Sequence, residues 1–121
     1  TMEIKGKRFL LPRAKEARDI IVKYIKDHGG VCDVIPLYNT SLPKHPALLN
    51  DKPDIITFTS SSTVQNFIKL YGKDALKNCL IASIGPVTTK KLTEYGIRVH
   101  IEATKYDIPG IVDAIESFSR Q

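Results

Sequence analysis

Strand-like and helix-like segments alternate along this chain of 121 residues, and that alternation constrains its fold more than any other feature. Short apolar runs of strand length are separated by segments whose apolar residues recur at helical spacing. The predicted strands are Arg8–Leu11, Val31–Tyr38, Asp54–Thr59, Cys79–Gly85 and Arg98–Ala103. The predicted helices are Ala14–Asp27, Ser61–Tyr71, Pro86–Tyr95 and a last helix marked by the apolar residues Ile108, Ile111, Val112 and Ile115.

Buried apolar strands between amphipathic helices favour a parallel sheet that is covered by helices on both faces. We therefore expect an α/β fold, with a flavodoxin-like five-stranded parallel sheet in a chain of ordinary single-domain size. Prolines at 43 and 46 interrupt the pattern, so residues 39–52 are the predicted linker. The linker separates a β-α-β unit, residues 1–38, from a β-α-β-α-β-α unit, residues 53–121.

The charge and cysteine content narrow the possible partners. A net charge of +5 and a pI of about 9.2 favour an anionic partner. Lysine and arginine are spread along the chain without a basic run, so a solvated basic surface is preferred over a nucleic-acid groove. No apolar stretch is long enough for a membrane-spanning helix. Cys32 and Cys79 are isolated, which argues against zinc and disulfides and predicts reduced core residues in a cytoplasmic protein.

Three consecutive serines, Ser60, Ser61 and Ser62, stand where the third strand gives way to a helix. One of them can be the helix N-cap, because serine is a preferred residue there. A single cap leaves the other two serines, and the neighbouring Thr59 and Thr63, without an explanation. A cluster of hydroxyls and free amides can also hold a carboxylate or a phosphate. Both interpretations stay open for this loop.

The segment after the fourth strand offers similar hydrogen-bonding groups. Gly85 lets the backbone turn, and Pro86 suits a first helical position because its missing N–H is not needed there. Val87, Thr88 and Thr89 then offer amides and hydroxyls, followed by two lysines. Ordinary capping with solvated lysines is the alternative. Ligands of such sheets bind at the carboxyl ends of the strands, so two neighbouring loops of this kind favour an anion site.

Several other kinds of site have no motif in this sequence. The chain contains neither the Gly-x-x-x-x-Gly-Lys of a phosphate-binding loop nor the Gly-x-Gly-x-x-Gly of a dinucleotide site. The acidic cluster of receiver domains is missing, and the three histidines lack the spacing of metal ligands. The residues therefore predict no metal site, and they contain no motif of a phosphate-binding loop or of a dinucleotide site.

Nearly the whole chain resembles the C-terminal half of uroporphyrinogen-III synthases. The resemblance lies in three segments, 5–40, 54–67 and 81–115. The paired motifs Phe-Thr-Ser-Ser-Ser and Ile-Gly-Pro-x-Thr carry that resemblance. It implies one lobe of a family with two flavodoxin-like lobes, without the N-terminal half of the sequence. The partner would then be that missing half or a second, domain-swapped copy of this chain, and the isolated chain is expected to be inactive.

The resemblance also implies a chemistry. Enzymes of this family are lyases of tetrapyrrole and haem biosynthesis that close the linear tetrapyrrole hydroxymethylbilane to uroporphyrinogen III. The reaction loses water and inverts the last ring, through an azafulvene and a spiro intermediate, and it needs no cofactor. The substrate is a polycarboxylate, which agrees with the basic charge of the chain.

Individual residues can be carried over from the same resemblance. Tyr38 matches a tyrosine proposed as general acid for departure of the hydroxyl, although a strand-end aromatic that closes the core would look the same. Arg13 ends the first strand and could bind a propionate or be merely exposed. The substrate-binding residues that the resemblance and the loops together suggest are Arg13, Thr59, Ser60, Ser61, Ser62, Val87, Thr88 and Thr89.

Two other functions remain open on the sequence. A non-catalytic flavodoxin-like module could bind a tetrapyrrole or another polyanion with the same loops. A nucleotide-binding relative of flavodoxin is a further alternative, which would show flavin or nucleotide affinity.

Overall fold

A computed structural model of the chain describes residues 4–13, 20–36 and 53–119. Its strands are β1 (Arg8–Arg13), β2 (Val31–Pro36), β3 (Ile55–Phe58), β4 (Leu80–Ser83) and β5 (Ile101–Glu102). Its α-helices are α1 (Ile20–Asp27), α2 (Ser61–Tyr71), α3 (Pro86–Glu94) and α4 (Ile108–Ser119). A short 3₁₀ helix, Lys73–Leu76, follows α2.

The strands form one parallel sheet in the order β2-β1-β3-β4-β5. This is the strand order of flavodoxin-like folds, in which the chain starts near the middle and winds outward in both directions. The predicted five-stranded parallel sheet is thus confirmed. Because all strands run the same way, the loops that follow them meet at one edge of the sheet.

The sheet has an apolar core on each face, since successive residues of a buried strand point to opposite sides. One core packs β1 and β3 against α1 and α4, and its fully buried members include Phe9, Ile21, Ile25, Ile55, Ile111 and Ile115. The other packs the sheet against α2 and α3, with Leu10, Ile56, Phe58, Val64, Phe67, Ile81 and Leu92. Truncating a buried phenylalanine of this kind to alanine typically costs about 3–5 kcal/mol.

A short seam between β1 and β3 joins residues 4–36 to residues 53–119. Among the described residues, two pairs, Phe9–Ile55 and Leu10–Ile56, lie in register across it, whereas β1 pairs with β2 along its whole length. Arg8 and Asp54 extend the seam: the Asp54 amide donates to the Arg8 carbonyl at 2.8 Å, and the Arg8 amide donates to Asp54 Oδ2 at 2.8 Å.

Some observed boundaries differ from the predicted ones. β5 covers two residues rather than Arg98–Ala103, and the 3₁₀ helix was not predicted. The apolar pattern marks where a segment is buried, but it does not say how many of its backbone groups find partners. Residues 14–19, where α1 was expected to begin, and residues 39–52 of the linker lie outside the described residues.

Cys79 is buried as expected, while Cys32 is half-buried against the core. Among the helices in the described ranges, none has the length and apolar character needed to cross a membrane. The same ranges hold no cluster of three or more histidine, cysteine or acidic side chains that could bind a metal ion.

The side chain of His100 explains why β5 starts late. Its Nδ1 accepts a hydrogen bond from the Ile81 amide at 3.1 Å, and its own amide donates to the Ile81 carbonyl at 2.9 Å. A side-chain nitrogen thus takes the place of a strand carbonyl as the partner of β4. Nδ1 can accept only when the ring is neutral. Desolvation by burial, and then the charge of Arg98, lower the pKa of His100.

We therefore expect His100 to make the fold less stable in mild acid. With a folded-state pKa below the ordinary value of about 6.5, the unfolded chain binds more protons in that range, so stability decreases as the pH falls. His100→Asn offers an uncharged acceptor, and its free energy of unfolding should decrease less between about pH 7.5 and about pH 5. Urea unfolding across this range measures both profiles, and parallel profiles would contradict the assignment.

Candidate functional site

Two polar loops lie side by side at the carboxyl edge of the sheet. We call residues 59–62, which follow β3, the serine loop, and residues 84–89, which follow β4, the glycine–proline turn. The strands before them are neighbours, with Phe58 in register with Ser83. The Ile84 amide donates to the Phe58 carbonyl at 3.1 Å, which continues the ladder up to the loops. Parallel pairing thus brings together two segments that are more than 20 residues apart along the chain.

In the serine loop, Ser60 is the N-cap of α2. Its backbone is extended, and its Oγ accepts from the Thr63 amide at 3.2 Å. The same hydroxyl contacts Ser62 Oγ at 3.2 Å and the Thr63 hydroxyl. Ser60 is therefore engaged in capping, which is the N-cap interpretation of one serine offered in the sequence analysis. Thr59 and Ser61 are half-buried, and the loop keeps polar groups at the surface.

A buried hydroxyl organises the glycine–proline turn. Ser83, fully buried at the end of β4, donates to the Gly85 carbonyl at 2.9 Å and accepts from the Gly85 amide at 3.3 Å. It also accepts from the Thr89 hydroxyl at 2.9 Å, and the Thr89 amide donates to the Gly85 carbonyl at 3.0 Å. These four hydrogen bonds tie the end of β4 to the turn and to the first turn of α3.

The helices that start at this edge differ in how their N-termini are satisfied. Asp107 Oδ1 accepts from the Gly110 amide at 2.7 Å in the first turn of α4, so that N-terminus already carries a carboxylate. At α3, Gly85 supplies no side-chain cap, and Pro86 has no N–H to satisfy. Amides of Val87 and Thr88 are first-turn donors, and a helix N-terminus favours negative charge. Of these helix starts, α3 is the one best equipped for an anion.

Comparison with known proteins identifies the family. Residues 1–113 match the family model described as uroporphyrinogen-III synthase HemD. The chain belongs to the uroporphyrinogen-III synthase family. The resemblance predicted from the two motifs is thereby confirmed.

Individual relatives show the extent of the match. The chain is 32% identical over 132 residues to uroporphyrinogen-III synthase of Synechococcus elongatus, covering 98% of this chain and 50% of that protein. It is 33% identical over 121 residues to that of Chlorobaculum parvum, covering 93% and 49%. The crystal structure of uroporphyrinogen-III synthetase from Helicobacter pylori matches with a TM-score of 0.50 and 25% identity, over 95% of this chain and 55% of that one. The chain spans about half the length of the curated relatives it matches.

The site residues expected from the synthase family fall into three groups. Residues of the serine loop and the glycine–proline turn lie together at the carboxyl edge, as described above. Arg13 ends β1 at that same edge, in register with Pro36. Tyr38 lies outside the described residues. Thr88 is 3% exposed, so its side chain faces the protein interior rather than the open edge.

Two exposed apolar side chains at this edge were not predicted as contacts from the sequence. Val87 is 74% exposed in the first turn of α3, where only its amide was expected to matter. Tyr106 is 64% exposed in the loop between β5 and α4. The available signal was its position: an aromatic residue in a loop that follows a strand of a parallel sheet. The loop after the fifth strand was left out of the sequence-based site.

A cavity of about 740 Å³ lies at the other edge of the sheet. It is lined by Asp54 and Leu80 at the amino ends of β3 and β4, by Gly96 after α3, and by Arg98 and His100. This cavity contains neither polar loop of the carboxyl edge.

The capping role of Ser60 predicts a difference between neighbouring serines. Ser60→Ala removes the acceptor of the Thr63 amide and should reduce the free energy of unfolding by about 1 kcal/mol. Ser61→Ala, in the first helical position, is the matched control and should change stability by less than about 0.5 kcal/mol. Urea unfolding of both variants measures this. Equal losses would mean that Ser60 does not cap α2.

Proposed function

We infer that this chain forms one lobe of a uroporphyrinogen-III synthase, which closes hydroxymethylbilane to uroporphyrinogen III with loss of water and inversion of one ring. One observation carries this proposal. In a chain that matches the family model over residues 1–113, the serine loop and the N-terminus of α3, which has no side-chain cap, meet at one edge of the sheet. That edge offers hydrogen-bond donors to a ligand rich in carboxylates.

The acid arms of the substrate would bind to backbone groups first. A carboxylate at the start of α3 can accept from the amides of Val87 and Thr88 and gains from the helix dipole. Because the Thr88 side chain is buried, its amide rather than its hydroxyl serves this contact. Lys90 is exposed one turn along, whereas the ammonium of Lys91 is 3.0 Å from Glu94 Oε2. Lys90 is therefore the lysine of this pair better placed to attract the polyanion.

For the chemical step, the protein has to hold the substrate in position and to supply one proton to the departing hydroxyl. The unassisted substrate closes without inversion, so holding one folded conformer is the main catalytic task. Tyr38 is our candidate general acid, since a phenol can protonate a departing hydroxyl. Arg13, at the end of β1, is a candidate contact for a propionate.

One lobe supplies one wall of such a site. We therefore expect the isolated chain to bind a tetrapyrrole polycarboxylate without turning it over. The same expectation describes a binding module without activity, so an assay of product stereochemistry must separate the two functions.

The assay uses a protein that carries this chain together with the half that its relatives have. Incubated with hydroxymethylbilane, it should form uroporphyrinogen III, identified by chromatography of the oxidised isomers. Tyr38→Phe should lower kcat by about 100-fold or more while leaving uroporphyrin binding unchanged. Isomer I alone from the unaltered protein would contradict the lyase function and leave the binding function standing.

A second copy of the chain could take the place of the missing half. The seam between β1 and β3 rests on two residue pairs and the Arg8–Asp54 contacts, and the same pairs can form between two chains that exchange residues 4–36. Light scattering after size-exclusion chromatography should then show a dimer fraction that rises with protein concentration. A strict monomer at high concentration would exclude the exchange.

A further inference from the structure

The side chain of Tyr106 packs against the backbone of the glycine–proline turn. A Cβ atom placed on Gly85 would lie 2.9 Å from Cδ1 and 3.1 Å from Cγ of the Tyr106 ring. The backbone of Gly85 is extended, with φ 174, a conformation open to any residue. Contact with the tyrosine ring, rather than backbone strain, is therefore what a side chain at position 85 would disturb. Yet Tyr106 remains 64% exposed, so much of the side chain stays open to solvent.

The loop that carries Tyr106 is fixed on both sides of the ring. The Asp107 amide donates to the Lys105 carbonyl at 3.0 Å, and the Asp107 side chain caps α4 through the Gly110 amide. A Cβ on Gly110 would lie 1.8 Å from the Lys105 carbonyl oxygen, so the close approach of loop and helix requires glycine. An aromatic ring on an ordered turn loses little further freedom when a ligand packs on it.

Apolar surface and anion-binding groups adjoin each other here. Val87, 74% exposed, follows Gly85 by two residues, so it belongs to the same turn whose glycine contacts the Tyr106 ring. We call these two side chains the apolar ledge. The amides of the first turn of α3 lie next to it, and Lys90 follows one turn along. A ligand that fits this combination carries acid groups on a flat, apolar ring.

We propose that Tyr106 is a binding residue whose ring packs against a pyrrole ring of the tetrapyrrole, with Val87 beside it, while the start of α3 takes a carboxylate arm of the same ring. This inference rests on the proposed function and assigns the ring contact that the polar loops cannot supply. Aromatic rings favour offset or edge-to-face contacts with one another, which gives the contact an orientation as well as affinity.

The test measures binding of uroporphyrin III, a stable oxidised form of the proposed product, to the 121-residue chain. Tyr106→Ala should weaken binding about three- to tenfold, as expected for loss of one aromatic pair. Tyr106→Phe keeps the ring and should bind within about twofold of the unaltered chain. Since the chain has no tryptophan, Tyr106→Trp introduces a single one, whose fluorescence should be quenched as uroporphyrin binds.

Gly85→Ala provides an independent route to the same contact. Its new methyl group displaces the Tyr106 ring, so binding should weaken as in Tyr106→Ala, and the two changes together should be no worse than either alone. Val31→Ala is the matched control, because Val31 is an exposed apolar residue at the start of β2, at the opposite edge. It should leave the affinity unchanged. Thermal unfolding of each variant checks that the fold is kept.

The outcomes separate this inference from the proposed function. If the unaltered chain binds uroporphyrin and Tyr106→Ala binds equally well, Tyr106 has only a structural role in covering Gly85, and the inference is wrong while the proposed function stands. If the unaltered chain does not bind uroporphyrin at all, the proposed binding edge is wrong, and the role of Tyr106 is wrong with it.

Discussion

The pairing of β1 with β3 is the interaction on which the rest of the structure depends. It joins the β-α-β unit at residues 4–36 to the part of the sheet that carries both polar loops, and it does so with the pairs Phe9–Ile55 and Leu10–Ile56. Because neighbouring residues of these strands face opposite sides, the two pairs contribute to both cores at once. Loss of the seam would uncover Phe9 and Ile55 on one face and Leu10 and Ile56 on the other.

The parallel direction of the strands determines where chemistry can occur. Hydroxyls and first-turn amides that are distant in sequence meet because β3 and β4 end at the same level, with Phe58 opposite Ser83. The buried Ser83 hydroxyl then turns the end of β4 into the start of α3 by bonding both backbone groups of Gly85. Packing, strand direction and one buried hydroxyl thus position these donors at the edge of the sheet.

Much of this arrangement could be predicted from the sequence. The rest could not be predicted, for physical reasons. Periodicity located the strands and helices, because burial on two faces of a sheet leaves a strong pattern of apolar residues. Periodicity could not predict that β5 is short. The Ile81 amide donates to a side-chain nitrogen of His100 instead of to a carbonyl of β5, and an apolar pattern does not reveal such a bond. Hydroxyl-rich loops pointed to the site, but residue types alone could not show that Thr88 is buried while Val87 is exposed.

The contact of Tyr106 with Gly85 escaped the sequence for a further reason. The two residues are 21 positions apart, and their meeting depends on how the loop after β5 approaches Gly85 at the start of α3. Glycine in an Ile-Gly-Pro motif suggests a turn, but the motif does not indicate that the Tyr106 ring packs beside the glycine. A long-range contact of this kind can be identified only once the register of the neighbouring strands is known.

Under the proposed function, a tetrapyrrole polycarboxylate would need both hydrogen-bond donors and apolar surface, and the starts of α2, α3 and α4 differ in what they offer. Ser60 caps α2 with a neutral hydroxyl, and Asp107 caps α4 with a carboxylate that repels a second anion. The start of α3 has neither kind of side-chain cap, and its amides are therefore the donors that we propose for an acid arm of the ligand. Tyr106 packs against Gly85 beside the same helix start, and our proposal brings its aromatic face to the ring that carries the arm. If both contacts form, one short turn holds both the charge and the plane of a pyrrole unit, and control over the orientation of a single ring requires both.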